Sequence, residues 1–514
     1  MSTGSGTGAS DDPEARGYSG KLVRWTSVVA LFFLVLAGCG DDDVPTRPPP
    51  GEADILVSPD GTGDYPTIQE AVAGADSLDV IGLTDGVFTG EGNRDIDFGG
   101  KSVTVRSVSG NADACILDCQ GSQDDAHRGF HFRSGEMPAA VVEGLTIRGG
   151  NAMWGGAIFC EESSPTLRGC VILSNTAAFG GGIGCRQASP SIIDCTFNGN
   201  LGGFGGGGIA SDDGASPSIT RCRFLGNSAA DYVGGAVACG AGSPSITDCR
   251  FQGNSAGFGG AVHGTHSSLT IWGCEFNGNL AAQSGGAISS EHGSFEVRDG
   301  TFTGNTAGAA GGGIRSYYDA IQLTANAISG NTAQIGGGIS VEDPETCDIV
   351  DCIVTGNTAI SAGGIHGAGD LSVRGCIVAN NVATAGGGMA FDGVIEVSGC
   401  TIVGNSGPQG GSGIAVGGGD HLSLANTIIA FGADGRSVMC HATSDLSVTC
   451  CDIYGNQGGD WIGCLEPFVD RAGNISVDPL FCDRDGLKFR LRPGSPCGPA
   501  GLCERIGAGS TGCR

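Results

Sequence analysis

Lysine is almost missing from this chain. Only Lys21, Lys101 and Lys488 occur in 514 residues, and the 26 Lys+Arg face 54 Asp+Glu for a formal net charge of -28. Such a surface repels phosphate backbones, which excludes nucleic acid as a partner and leaves cationic ligands admissible. Charged residues are only 16% against 40% hydrophobic, which argues against disorder over most of the length. The 97 glycines follow no strict Gly-Xaa-Yaa period, so collagen is excluded. Neither the cysteines nor the eight histidines match a zinc spacing. Long apolar runs are also lacking. The single candidate, Val28 to Leu36, is too short to span a bilayer comfortably.

What the chain does have is a repeat. Ile192, Cys195, Phe197 and Asn200 precede a glycine run ending in Ile209, and the frame returns at Ile219, Cys222, Phe224 and Asn227, then at Ile246, Cys249, Phe251 and Asn254. The register asparagines include Asn175, Asn200, Asn227, Asn254 and Asn279 and run on to Asn405, in steps of 24 to 27 residues. A period of that size means a solenoid, whose units bury their apolar faces only by stacking on one another.

One repeat reads as three short strands: Ile209-Ala210, Ser218 to Thr220, and Cys222 to Phe224. Ile219 and Cys222 can both point inward only if the chain bends between them. Asn227 closes the coil, where an asparagine tolerates the left-handed region. Ile158, Ile183, Ile209, Val237 and Val262 form one core stripe, and Phe197, Phe224, Phe251, Phe276 and Phe302 another. These phenylalanines are core residues rather than a sugar platform. The expected fold class is all-β, a single-stranded right-handed parallel β-helix of about 13 or more coils of roughly 25 residues, capped at both ends.

The repeats resemble the parallel β-helix superfamily shared with pectate lyases. Phe251-Gln252-Gly253-Asn254 followed by Gly259-Gly260-Ala261-Val262 is also similar to the repeats of polymorphic outer-membrane proteins. These resemblances imply a fold and leave activity open. Ile55 to Phe88 resembles the N-terminal cap of pectin methylesterases, with Thr67 capping a helix that presents Ile68, Ala71 and Val72 on one side.

The N-terminus reads as an export signal. Lys21 and Arg24 precede the apolar run, and Leu36-Ala37-Gly38-Cys39 resembles a bacterial lipoprotein signal. That resemblance implies acylation of Cys39 and cleavage before it. Asp41 to Asp43 and Pro48 to Pro50 suit a solvated tether. The expected organisation is a signal peptide over 1–38, a lipidated tether over 39–53 and an N-terminal cap over 54–99. The β-helix follows over 100–450 and a Cys-rich C-terminal cap over 451–514.

Removing Cys39 leaves an even number of cysteines. Cys170, Cys195, Cys222, Cys249 and Cys274 share one register and read as a ladder of buried free thiols. Cys115 with Cys119 is expected as a disulfide, as are several among Cys440, Cys450, Cys451, Cys464, Cys482, Cys497, Cys503 and Cys513.

No catalytic, cofactor-binding or metal-binding residue can be assigned. Paired acids occur at Asp124/Asp125, Glu161/Glu162 and Asp212/Asp213; the last superficially resembles the double-aspartate segment of polygalacturonases, but the companion Asn-Thr-Asp and Gly-His-Gly segments are missing. Asp194, Asp248, Asp299 and Asp351 share an outward slot that could reach calcium, yet Arg221 fills the same slot. His263 and His366 share another slot and read as surface side chains. The chain is therefore read as a non-catalytic cell-envelope lipoprotein for adhesion, glycan contact or structural spacing. Its partners would be the membrane, through an N-terminal lipid, and a polysaccharide or another surface protein. Outer membrane or cell surface is the expected location, with secretion as the alternative. The competing function is a polysaccharide lyase or glycoside hydrolase acting in a groove of the β-helix.

Overall fold

Each coil turns where a residue adopts the left-handed region, and the sequence supplies that residue at three corners. The computed structural model describes residues 53–484, 486–499, 503 and 505–513; Cys39, the signal and most of the tether lie outside them. Three long parallel sheets run along the molecule. The first has 16 strands, from Ile55–Val57 to Asp445–Thr449. The second has 15, from Gly86–Phe88 to Asp452–Tyr454, and the third has 13, from Phe130–Phe132 to Asp434–Cys440. Equivalent residues stack in register, as in Ile192 on Ile219, Phe197 on Phe224 and Ile209 on Val237. The chain is an all-β, right-handed parallel β-helix.

The corner between the first and second sheets lies one residue before the cysteine. Asp194, Arg221, Asp248, Asp299 and Asp351 all have φ between 52° and 55° there, and Gly273 fills the slot at 62°. This bend lets Ile219 and Cys222 both face inward. The outward aspartates are thus corner residues, a role that suits Asp and Gly. Asp194 accepts from Arg221 Nε at 2.8 Å. Among the described residues no group of three His, Cys, Asp or Glu side chains gathers to hold a metal.

The second corner corrects the expected role of asparagine. Gly199, not Asn200, takes the left-handed conformation, with φ +61°. Asn200 is instead buried, and its amide bonds to the rungs on both sides.

A third corner adds a row of strands that the three-strand reading lacked. Between the asparagine and the glycine run lie Asn151–Trp154, Thr176–Phe179 and Leu201–Gly205, then Ser255–Phe258, Leu280–Ser284 and Thr306–Ala307. Gly206 ends this row at φ +60°; a Cβ there would lie 2.1 Å from the Ile209 carbonyl oxygen. The next residue, Gly207, would place a Cβ 2.3 Å from Gly235 O of the adjacent coil. The glycine run thus serves both the bend and the stacking distance.

Inside, Phe197, Phe224, Phe251, Phe276 and Phe302 form a continuous stack at ring spacings of 4.7 to 4.8 Å. The cysteines of the ladder are free and buried. Cys222 Sγ donates toward Ile192 O at 3.5 Å, and Cys249 Sγ accepts from Cys222 N at 3.3 Å. Burial pushes the Cys222 thiol well above its ordinary range, so it stays protonated.

Cys115 and Cys119 are also free. Four residues apart along extended chain, their Cα atoms stand about 13 Å apart, too far for a bridge. Disulfides join Cys440 to Cys464, Cys450 to Cys503 and Cys482 to Cys513, while Cys451 and Cys497 remain free.

At the N-terminal end a short helix, Ile68–Gly74, buries Ile68, Ala71 and Val72. Thr67 Oγ1 accepts from Glu70 N at 3.2 Å. Lys101, one of the three lysines, donates to the carbonyls of Val72, Ala73 and Ala75 at 2.7 to 2.9 Å and closes the helix C-terminus.

The C-terminal segment does two jobs. A 3₁₀ turn, Gly463–Phe468, places the fully buried Leu465 in the main core. The remainder departs from the expected cap and folds back along the outer face of the second sheet. There Phe481, Phe489, Leu491, Cys497 and Ile506 pack on Ala379, Val403, Ile428 and Ala430. The reason is local sequence: this stretch of the outer face is apolar, whereas earlier coils present Arg223, Arg250 and Glu275 to solvent.

Candidate functional site: a groove along the third sheet

Strands of the third sheet alternate inward and outward residues. The outward side yields two columns by register. One runs His131, Phe159, Gly184, Ala210, Ala238, His263, Ser289, Arg315, Ser340 and His366. The other holds Glu161, Arg186 and Asp212, then Thr265, Glu291, Tyr317 and Glu342. The neighbouring row of short strands contributes aromatics. Trp154 stacks on Phe179 at 4.6 Å, Phe179 contacts Phe204 at 5.5 Å, and Phe204 meets Tyr232 edge-on at 5.0 Å.

The glycine corner turns the two rows toward a common space. Trp154, Phe179 and Phe204 line a cavity of about 140 Å³ with Ala210, Ala238, Asp212, His263 and Thr265. One wall is aromatic, the floor is made of small residues, and the far wall is polar. Trp154 is also held from the polar side by Arg186, whose guanidinium lies 5.6 Å from its ring. Arg186 pairs with Glu161 at 3.5 Å and with Asp213 at 2.9 Å. Two of the three acid pairs therefore divide: Glu161 and Asp212 face outward from the strand, while Glu162 and Asp213 take the left-handed turn at φ 51° and 53°.

A second convergence lies farther along the same groove. His263 Nε2 is 2.7 Å from Thr265 Oγ1 and 3.9 Å from Glu291 Oε1. Arg315 Nη1 lies 3.6 Å from Glu291 Oε2, and its guanidinium sits 4.7 Å over Tyr317. His263 is only 3% exposed, which corrects its reading as a surface residue. It lies at the foot of the glycine corner, with the Phe258 ring 6.4 Å away. Burial, reinforced by Arg315, pulls its pKa down to about 4, so the imidazole is neutral at ordinary pH. Among the described residues, His263 Nδ1, Ser289 Oγ and Arg315 Nε have no hydrogen-bond partner. His366, in the same column four coils on, meets Ser340 Oγ at 3.3 Å.

Sequence reasoning missed the aromatic wall, Arg315 and Tyr317. The available signal was positional: Trp154, Phe179 and Phe258 each stand immediately before the corner glycine.

Two family models match parts of the chain. The family model described as "Right handed beta helix region" matches residues 85–258. The model of the Chlamydia polymorphic membrane protein repeat matches residues 273–291. No curated protein matches the chain. Among solved structures, the chain is similar to the periplasmic alginate epimerase AlgG at 12% identity and a TM-score of 0.36, covering 68% of this chain and 76% of that one. It is similar to the A-module of the Azotobacter vinelandii mannuronan C-5 epimerase AlgE6 at 11% identity and a TM-score of 0.28, covering 80% and 94%. Pectate lyase Pel9A gives 13% identity and a TM-score of 0.22, covering 90% and 98%.

Proposed function

We propose that this chain is a cell-envelope β-helix that holds an extended glycan along the groove of the third sheet. The observation that carries this reading is the aromatic row Trp154, Phe179 and Phe204 facing Asp212 across a floor of Ala210 and Ala238. Sugar rings present one apolar face and a rim of hydroxyls, which suits an aromatic wall opposite a polar one. Rows spaced by the coil repeat suit a polymer better than a small molecule. Affinity electrophoresis of residues 51–514 in gels cast with polysaccharides tests it. Retardation by at least one glycan, lost in Trp154→Ala and Phe204→Ala, supports the reading; unchanged mobility of all three proteins in every gel rejects it.

Envelope anchoring is part of the same proposal. Its support is the signal-like run ending in Leu36-Ala37-Gly38-Cys39, together with disulfides, which persist in oxidising compartments. Radiolabelled palmitate should enter the full-length protein and not the Cys39→Ala variant; equal labelling of both refutes the anchor.

A second reading, catalysis on the bound glycan as a lyase or glycosidase, is favoured by the cluster of His263, Glu291, Arg315 and Tyr317. A neutral imidazole beside a carboxylate can take a proton as a general base and return it once protonated, and Arg315 can balance developing negative charge. A degradation screen with and without calcium, repeated on His263→Gln, separates this reading from simple binding. No product from any polysaccharide rejects it.

A further inference from the structure

We infer that the glycan held in this groove carries free amino groups, with one ammonium seated between Asp212 and the aromatic row. The inference rests on the groove reading above and specifies its ligand. Among the described residues, Asp212 is the only Asp, Glu, Lys or Arg side chain lining the cavity formed with Trp154, Phe179 and Phe204. Among the described residues no lysine or arginine lines it, the nearest guanidinium named above being that of Arg186 against Trp154, and His263 at its edge is neutral because burial holds its pKa low. Asp212 itself forms no ion pair among the described residues; its Oδ1 accepts a hydrogen bond from Asp213 N at 2.9 Å. Arg186 is paired with Asp213 and Glu161 and also feels Asp212; one guanidinium against three carboxylates leaves net negative charge beside the cavity for a cationic ligand.

A carboxylate opposite aromatic rings attracts a cation by direct Coulomb interaction and through the ring quadrupoles, as Arg186 already shows over Trp154. A uronate or sulfated chain would instead bring its charge toward Asp212 against the field of a protein with net charge -28. The cavity, at about 140 Å³, is well below the roughly 300 Å³ of a drug-sized pocket and fits a single sugar unit. Repetition of the groove along the coils would carry the neighbouring units.

Isothermal titration of residues 51–514 with three probes tests the inference: glucosamine oligomers, their N-acetylated counterparts and oligogalacturonate. The inference expects tightest binding to the glucosamine oligomers, weakened about tenfold by Asp212→Asn and by raised salt. Asp212→Asn keeps the Oδ1 acceptor for Asp213 N, so it preserves the turn. Equal affinity for free and acetylated oligomers, untouched by Asp212→Asn but reduced by Trp154→Ala and Phe204→Ala, overturns the ammonium site and leaves the groove. Tighter binding of oligogalacturonate overturns the inference in the same way. No binding of any probe by the folded protein, checked by circular dichroism, overturns the inference; retardation by some other glycan in the gels would still leave the groove reading intact.

Discussion

Asn200 Oδ1 accepts two hydrogen bonds from Asn175, one from its backbone N–H at 3.0 Å and one from Nδ2 at 3.1 Å. Asn200 Nδ2 in turn donates to Ile172 O at 2.8 Å and to Asn227 Oδ1 at 2.9 Å. The rung therefore satisfies backbone groups of the preceding coil that no water reaches. Asn200→Ala leaves a buried N–H and a buried carbonyl unpaired. The expected loss is about 2 to 4 kcal/mol in urea unfolding. Hydrogen exchange should rise at Asn175 and the adjoining rungs, since a solenoid couples mainly nearest neighbours. Asn198→Ala, exposed on the same coil, should cost under about 0.5 kcal/mol. Equal effects from the two substitutions would refute the ladder's role.

The corner glycines permit a sharper contrast. Gly206 and Gly226 both have positive φ, at +60° and +58°. A Cβ on Gly206 would meet Ile209 O at 2.1 Å, whereas one on Gly226 would meet nothing within 4 Å. Gly226→Ala should therefore cost only the conformational penalty of about 1 to 2 kcal/mol. Gly206→Ala must also displace backbone, and should cost clearly more or prevent folding. Thermal melts of the two variants decide this; equal melting temperatures would contradict the corner geometry.

His263 makes stability depend on pH. Its pKa is lowered from 6.5 to about 4 in the folded chain, so the unfolded state binds the proton more readily. Stability from this group is fully present above pH 6.5 and is lost as pH falls toward 4. The full swing is about 3 kcal/mol. Asp452 works in the opposite sense: burial raises its pKa to about 6 from 3.8, so it costs stability as pH rises through that interval. Melts of His263→Gln between pH 4 and 7 should show a shallower acid slope than the parent. Those of Asp452→Asn should show a steeper one. Unchanged slopes in both would remove these two groups as the cause.

Residues that repeat were legible from sequence, because stacking demands the same chemistry at the same place in every coil. Ile183, Ile209 and Val237, or Phe197 and Phe224, announce the core for that reason. The bend between Ile219 and Cys222 was deducible from parity, although that Arg221 adopts the left-handed conformation was not. The groove was illegible because its column does not repeat: Gly184, Ala210 and Ala238 are small, while His263, Ser289 and Arg315 at the same position differ from them and from one another. A ligand is read by such differences, and a site that takes one residue per coil leaves no local motif. The fold-back of the tail was hidden for a related reason. Nothing in Ile377, Val403 or Ile428 distinguishes an outward apolar residue from a core one until the register is known.

That fold-back should be separable from the rod. Phe481, Phe489 and Leu491 cover the outer face of the second sheet, and the segment is tied by Cys450–Cys503 and by Cys482–Cys513, 31 residues apart. A loop of that length contributes about 3 to 4 kcal/mol by restricting the open segment. The coils beneath keep their own ladder and their stacked core whether or not the segment is present. Mild reduction should therefore expose residues 475–513 to protease while the strands from Thr104 to Thr449 stay protected, which mass-resolved proteolysis can read. Ala508 N donates to Thr401 Oγ1 at 2.9 Å, so Thr401→Val should loosen the same segment without reductant. Simultaneous digestion of rod and segment after reduction would show that the tail is part of the cooperative core, and the division drawn here would fail.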